Sequence, residues 1–149
     1  MINTLLALMA IQYLNVPYKW GGNGPRFDCS GLVLKVLHDV GVTLPDMTSQ
    51  SLYRWASDRK TSYSCEPEED CLLFFGESIN HIKHVAISIG KPSGSSESYM
   101  IEAGGAGKNS LQMSDEDLAR IDARVRIKPI SNRGDLVASI KIKYGESNE

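Results

Sequence analysis

Leu32, Val33, Val36, Leu37 and Val40 recur at i, i+1, i+4, i+5 and i+8, which is the stripe of a helix with one buried face, and Gly41 stops it. Asp28 stands at the N-cap position of this helix. Cys29 therefore falls on the first turn, among backbone N–H groups at the positive end of the dipole, a position that favours a thiolate. An earlier apolar run predicts a first helix capped by Asn3 or Thr4, with Leu5, Leu8, Met9 and Gln12 near one another. Asn15-Val16-Pro17 ends that periodicity and opens a loop carrying Tyr18, Trp20 and the paired glycines Gly21 and Gly22. Thr48 caps a short helix around Ser49 to Ala56, whose Leu52, Tyr53 and Trp55 pack on the core or border a cleft.

Beyond Ala56 the pattern changes. Asp58 to Asp70 is polar, carries Glu66, Glu68, Glu69 and Asp70 around Pro67, and reads as a solvated loop. Cys71 to Phe75 is a continuous apolar strand, with Cys71 a small buried hydrophobe. After a loop holding His81 and Lys83, the alternating β-branched run His84 to Ile89 predicts a strand ending at Gly90. Ala86 and Ser88, small residues on the His84 face, are expected to leave space for the Cys29 helix. Lys91 to Ser98 is a surface connection, Tyr99 to Ala103 a third strand ending at Gly104-Gly105, and Ser114 starts a helical turn with an acidic first turn. Arg124 to Lys128 alternates strictly and predicts a strand with one wet face. Leu136 to Tyr144 repeats the pattern, with Ile140, Ile142 and Tyr144 on one side and Lys141 and Lys143 on the other. Helices first and a mainly antiparallel sheet of five to six strands afterwards make an α+β fold.

With 149 residues and 42% hydrophobic content, the chain suits a single domain, residues 1–145, with 146–149 as a tail. A net charge of −2 gives no basic surface of the kind nucleic-acid binders carry. Three cysteines cannot all pair within the chain, so a reducing compartment is expected. The apolar N-terminus lacks a basic n-region and is shorter than the roughly 20 residues that span a bilayer. The expectation is a protein with no export signal and no membrane span, made in the cytoplasm.

The chemistry suggested by Cys29 needs a base, and the His84 strand supplies one. Glu102, in the next strand, is a candidate to orient the imidazole, giving the chain order Cys, His, acid. His38 and His81 read as solvated. Cys65, Cys71, His81 and His84 match no compact zinc spacing, so no metal is expected. Gly104 to Asn109 fails as a phosphate loop, because Glu102 occupies the first glycine position and Asn109 follows Lys108.

Together, Tyr18-Lys19-Trp20-Gly21-Gly22, Phe27-Asp28-Cys29-Ser30-Gly31, Asp70 to Gly76, His84-Val85-Ala86-Ile87 and Ile101-Glu102-Ala103 resemble the NlpC-type cell-wall peptidases, which are papain-like. The similarity runs from about Leu6 to the final strand. The family most often has His where this chain has Glu102, and its Gly-Asp becomes Asp70-Cys71 or Glu69-Asp70, depending on register. The resemblance implies a papain-like fold and a cysteine endopeptidase that cuts peptidoglycan stem peptides, between D-glutamate and the diamino acid, through a thioester. It implies Cys29, His84 and Glu102 as catalytic residues and no cofactor.

For substrate binding the candidates are Tyr18, Trp20, Asp28 and Ser30. Tyr18 serves equally as a loop anchor, Trp20 as packing and Asp28 as the helix cap. Other amidases or acyltransferases with the same Cys-His core, and a non-catalytic wall-binding subunit, remain as alternatives. A wall enzyme with no export signal implies phage or secretion-system delivery, with phage tail or delivery proteins as partners.

Overall fold

The computed structural model describes residues 5–62, 67 and 70–142. Cys65, the acidic residues 66, 68 and 69, both candidate caps Asn3 and Thr4, Lys143, Tyr144 and the tail lie outside the described residues. Three helices come first: α1 (Leu5–Ile11), α2 (Cys29–Asp39) and α3 (Ser49–Asp58). The strands are β1 (Lys60–Ser62), β2 (Leu72–Ser78), β3 (His81–Gly90), β4 (Tyr99–Gly104), β5 (Arg124–Pro129) and β6 (Leu136–Ile142), with the short helix α4 (Asp115–Arg120) ahead of β5. They form one six-stranded sheet in the order β1-β6-β2-β3-β4-β5, antiparallel at every pairing. The expected α+β architecture is present.

The helices cover one face of the sheet. Leu32, Val33, Val36 and Leu37 of α2 and Leu52 and Ala56 of α3 join Leu72, Phe74, Val85, Ile87, Ile101, Val125 and Ile140 in the main core. Cys71, Leu73, Phe75, Ala86, Met100 and Ile130 make a smaller cluster on the opposite face.

Helix α1 keeps only part of the stripe that the sequence suggested: Leu5 and Met9 pack against the main core. Leu6, Ala7 and Ala10 are buried, whereas Leu8 is 57% exposed. The alanines allow a close approach to α2, and Leu8 is rotated to the outside. The amino end of α1 is held by Asp70, whose carboxylate accepts the N–H groups of Leu6 (3.2 Å) and Ala7 (2.9 Å). Asp70 is therefore buried, not part of a solvated loop, and the 58–70 segment also contributes β1 to the sheet edge.

β3 is longer than the apolar pattern indicated, taking in His81 and Lys83. Its outer end is pinned by α3: Gln50 accepts from the Ile82 N–H (2.8 Å) and donates to the Ile79 carbonyl (2.8 Å). At the far edge of the sheet, β5 bonds to the chain leading into the cysteine loop. Val125 accepts from the Asn15 N–H, Val125 N–H donates to Val16, and Tyr18 N–H donates to Ala123. This pairing covers an otherwise open strand edge and fixes Tyr18 beside the sheet.

Candidate active site

The loop from Lys19 to Asp28 folds back on itself through Lys19 N–H to Phe27, Gly22 N–H to Lys19 and Asp28 N–H to Gly22. A Cβ on Gly22 would lie 2.4 Å from the Arg26 carbonyl oxygen, and one on Gly31 would lie 2.0 Å from that of Gly22. Glycine at both positions lets the loop lie flush against the start of α2. Asp28 has extended backbone angles and caps the helix as expected, its Oδ1 accepting from the Gly31 N–H (2.7 Å) and the Ser30 hydroxyl (3.3 Å). Burial raises the Asp28 pKa, against the opposing effect of those bonds. The result is a half-buried Cys29 at the helix tip.

Ile82 and Val85 are three residues apart, yet both enter the main core, so β3 changes phase between them, where its register with β2 shifts near Phe75 and Gly76. The shift leaves Lys83 exposed and turns His84 against Phe75, with ring centroids 5.6 Å apart. Ala86 belongs to the smaller cluster on that face, so it does not make space for α2 as the sequence suggested. Helix α2 packs over the Val85 and Ile87 face, and only its tip reaches His84.

His84 Nε2 and Glu102 Oε1 are 2.6 Å apart, with both side chains buried. Nδ1 is the ring nitrogen left for Cys29, whose side chain is near enough to the imidazole to raise its pKa. Burial disfavours the imidazolium, but the nearby Cys29, the bond to Glu102 and the charges of both outweigh it and carry the His84 pKa up to about 9. Burial likewise opposes ionisation of Glu102, and His84 and Arg126 together hold its pKa below the usual carboxylate value. Arg126 Nε donates to Glu102 Oε2 at 3.0 Å. The sequence assigned Arg126 to a wet strand face, but it is largely covered, and Ile127 is the exposed residue. The signal that could have found it is register: Arg126 lies directly opposite Glu102 on β5.

Tyr18, Trp20, Asp28, Cys29, Ser30, His84 and Glu102 all line one cleft of about 450 Å³. The residues proposed from the sequence for catalysis and substrate binding are thus brought to a single place. Tyr18 is 6% exposed, and burial together with the nearby Cys29 and Asp28 pushes its pKa up to about 12. Trp20 is 44% exposed, not packed inside; its backbone N–H donates to Ser110 Oγ (2.9 Å) and Lys108 lies over its ring. His38 and His81 are exposed, and Cys71 is fully buried. Among the described residues no group of three His, Cys, Asp or Glu side chains is placed to hold a metal ion, and no helix is long and apolar enough to cross a membrane.

The family model described as NlpC/P60 family matches residues 15–118, a span that includes Cys29, His84 and Glu102. The chain belongs to the NlpC/P60 family. Among curated NlpC/P60 relatives it is 44% identical over 82 residues to the probable endopeptidase p60 of Listeria seeligeri, covering 54% of this chain and 15% of that protein. It is 39% identical over 85 residues to the bifunctional muramidase/DL-endopeptidase CwlT of Bacillus subtilis, covering 54% of this chain and 25% of that one. The chain thus spans a quarter or less of the length of these two relatives.

Solved NlpC/P60 domains match more completely. The P60 domain of antigen MAP1204 from M. avium subspecies paratuberculosis superposes with a TM-score of 0.65 at 22% identity, covering 95% of this chain and 96% of that one. RipD of Mycobacterium tuberculosis, described as a non-catalytic NlpC/p60 domain protein adapted to peptidoglycan binding, gives 0.64 at 18% identity, covering 96% and 97%.

Proposed function

We propose that this NlpC/P60 chain is a cysteine endopeptidase of bacterial cell-wall peptides. The observation that carries the reading is the buried imidazole of His84, hydrogen-bonded to Glu102 and close to Cys29, in an open cleft that all three residues line. In this reading Cys29 gives its thiol proton to His84, and its Sγ attacks the amide carbonyl and forms a thioester as the C–N bond breaks. His84 protonates the leaving amine, then takes a proton from the water that hydrolyses the thioester and returns the free thiol. Glu102 accepts from Nε2–H, which fixes the ring tautomer and holds Nδ1 toward the sulfur.

The oxyanion lies against the N–H groups of Cys29 and Ser30, which have no intrahelical acceptor because they occupy the first turn. Such a donor is typically worth about 3 kcal/mol in the transition state. Tyr18, Trp20, Asp28 and Ser30 line the cleft, and in this reading they bind the peptide. From the family resemblance, the bond cut is that between D-glutamate and the diamino acid of the stem. The domain is the single unit read from the sequence, residues 1–145.

The names of p60 and CwlT support an endopeptidase, and that of RipD shows that this fold also serves binding without catalysis. Incubation of purified sacculi with the wild type and with Cys29→Ala, followed by mass spectrometry of released peptides, separates the two. Release by the wild type alone, with new ends at the glutamyl bond, is expected. Sacculus binding without release by either protein overturns the enzyme reading, and consumption of an acyl-lipid donor in place of muropeptides would mark an acyltransferase.

A further inference from the structure

The carboxylate of Glu102 has two sides, and only one faces the imidazole. Oε1 meets His84, and Oε2 accepts from Arg126 Nε at 3.0 Å. Arg126 is itself held: its Nη1 donates to the Asp122 carbonyl (2.9 Å) and lies 3.5 Å from the Asp122 carboxylate, which also meets Arg124 and Lys128. The guanidinium is thus held through Nη1 independently of the bond that Nε makes to Glu102.

The chain makes space for this arrangement at Gly104-Gly105. A Cβ on Gly104 would lie 3.3 Å from Arg126 Nη2 and 3.4 Å from Glu102 Oε2. On Gly105, where φ is +102°, it would lie 3.0 Å from Arg126 Nη1 and 2.8 Å from the Asp122 carbonyl oxygen. The paired glycines, which a sequence reading takes only as a strand end, are where the guanidinium fits.

We infer that Arg126 is a positioning residue for the reaction, acting through Glu102: it holds Oε2 so that Oε1 stays on His84 Nε2, and the imidazole stays on Cys29. A freely rotating carboxylate would exchange its oxygens and release the ring. Arg126 reaches the cleft wall but touches the reacting pair only through Glu102. The charged groups facing this unit are Cys29 on α2, Glu102 on β4, Asp122 ahead of β5, and Asp135, which lies close enough to His84 to feel its charge and is paired with Arg133. Arg126 is the group bonded to Oε2.

The inference rests on the cysteine-peptidase reading, so its test has one arm that needs no substrate. The His84 Nε2 proton, hydrogen-bonded to a buried carboxylate, should give a low-field NMR resonance in the wild type. Arg126→Met should broaden or lose it through faster exchange with water, and Arg126→Lys should restore it. In the kinetic arm, Arg126→Met should lower kcat about tenfold or more with KM within about twofold, as for loss of a group that holds a reacting side chain. In a Glu102→Gln background the same change should cost less than about threefold, because the carboxylate through which Arg126 acts is already gone. Should Arg126→Met fail to fold, Arg126→Gln carries the same expectations, since it keeps a donor for the Asp122 carbonyl without the charge.

An unchanged resonance, an equal loss of kcat in both backgrounds, or a lowered melting temperature with kcat intact would each overturn the positioning role. A wild type that shows the resonance but cuts no wall peptide would overturn the functional reading and leave the placement of Glu102 by Arg126 standing.

Discussion

His84 and Glu102 stabilise each other's charged forms, and the fold's stability should report it. The His84 pKa is raised from 6.5 to about 9 in the folded protein, so the native state binds this proton more tightly than the unfolded chain does. Its contribution is complete below about pH 6.5 and is lost as pH rises through about 9. Glu102 has the opposite sign. Its folded pKa is lowered, so its contribution is present above the ordinary glutamate value and lost as pH falls through the folded one. Urea unfolding across pH 6 to 10 should show wild-type stability declining on the alkaline side. In Cys29→Ala, which lacks one of the two groups that raise the His84 pKa, the decline should be smaller and end at lower pH. Identical curves would mean that Cys29 and His84 are not coupled.

At this scale the sequence revealed a good deal of the site. Asp28, Cys29, His84 and Glu102 were legible because each carries chemistry in a local context of cap, helix tip or strand. Arg126 was not, since its role depends on the β4–β5 register and on the close approach that Gly104-Gly105 permit, neither of which is written in the alternation of Arg124 to Lys128.

Helix α1 shows where periodicity misleads at the level of elements. Counting large apolar residues points Leu8 inward, but a seven-residue helix close to a neighbour packs through its alanines, and its N-terminal N–H groups need an acceptor. The acceptor is Asp70, more than sixty residues away in sequence and invisible to local reasoning. Helix α2, whose cap is adjacent in sequence and whose stripe is wide and aliphatic, was legible almost to the residue. The same contrast explains β3, whose outer end is polar in sequence and is held as a strand by Gln50. Asp70→Ala should therefore lower unfolding free energy by about 2 kcal/mol, the cost of leaving buried N–H groups without an acceptor. Because α1 supplies no residue to the cleft, the folded fraction should keep the wild-type pH profile of peptide cleavage. A loss under about 0.5 kcal/mol in urea titrations would show that the contact is replaced by water.

Across the whole molecule, early and late segments are interleaved. β6, from the end of the described chain, lies between β1 and β2, and the chain before Cys29 bonds along β5 at the other edge. The main core draws on α1, α2 and α3 as well as on β2 to β6, so no cut through the sequence divides it into two self-sufficient halves. Solved NlpC/P60 domains cover the chain almost end to end, whereas p60 and CwlT extend far beyond the matched part. Chains of this size with one continuous core usually unfold in a single step. Two independent probes are built in: Trp20 reports on the cleft, Trp55 on α3 against the core. Urea unfolding followed by Trp fluorescence in Trp20→Phe and in Trp55→Phe, and by far-UV circular dichroism, should give coincident midpoints. Removing β6 by ending the chain before Leu136 should leave no cooperative transition, because β2 loses its partner on one side and β1 its only pairing among the described strands. Separate midpoints for the two tryptophans would instead mean that the helical layer, with Cys29, and the sheet, with His84, melt independently, and that the site comes apart before the fold does.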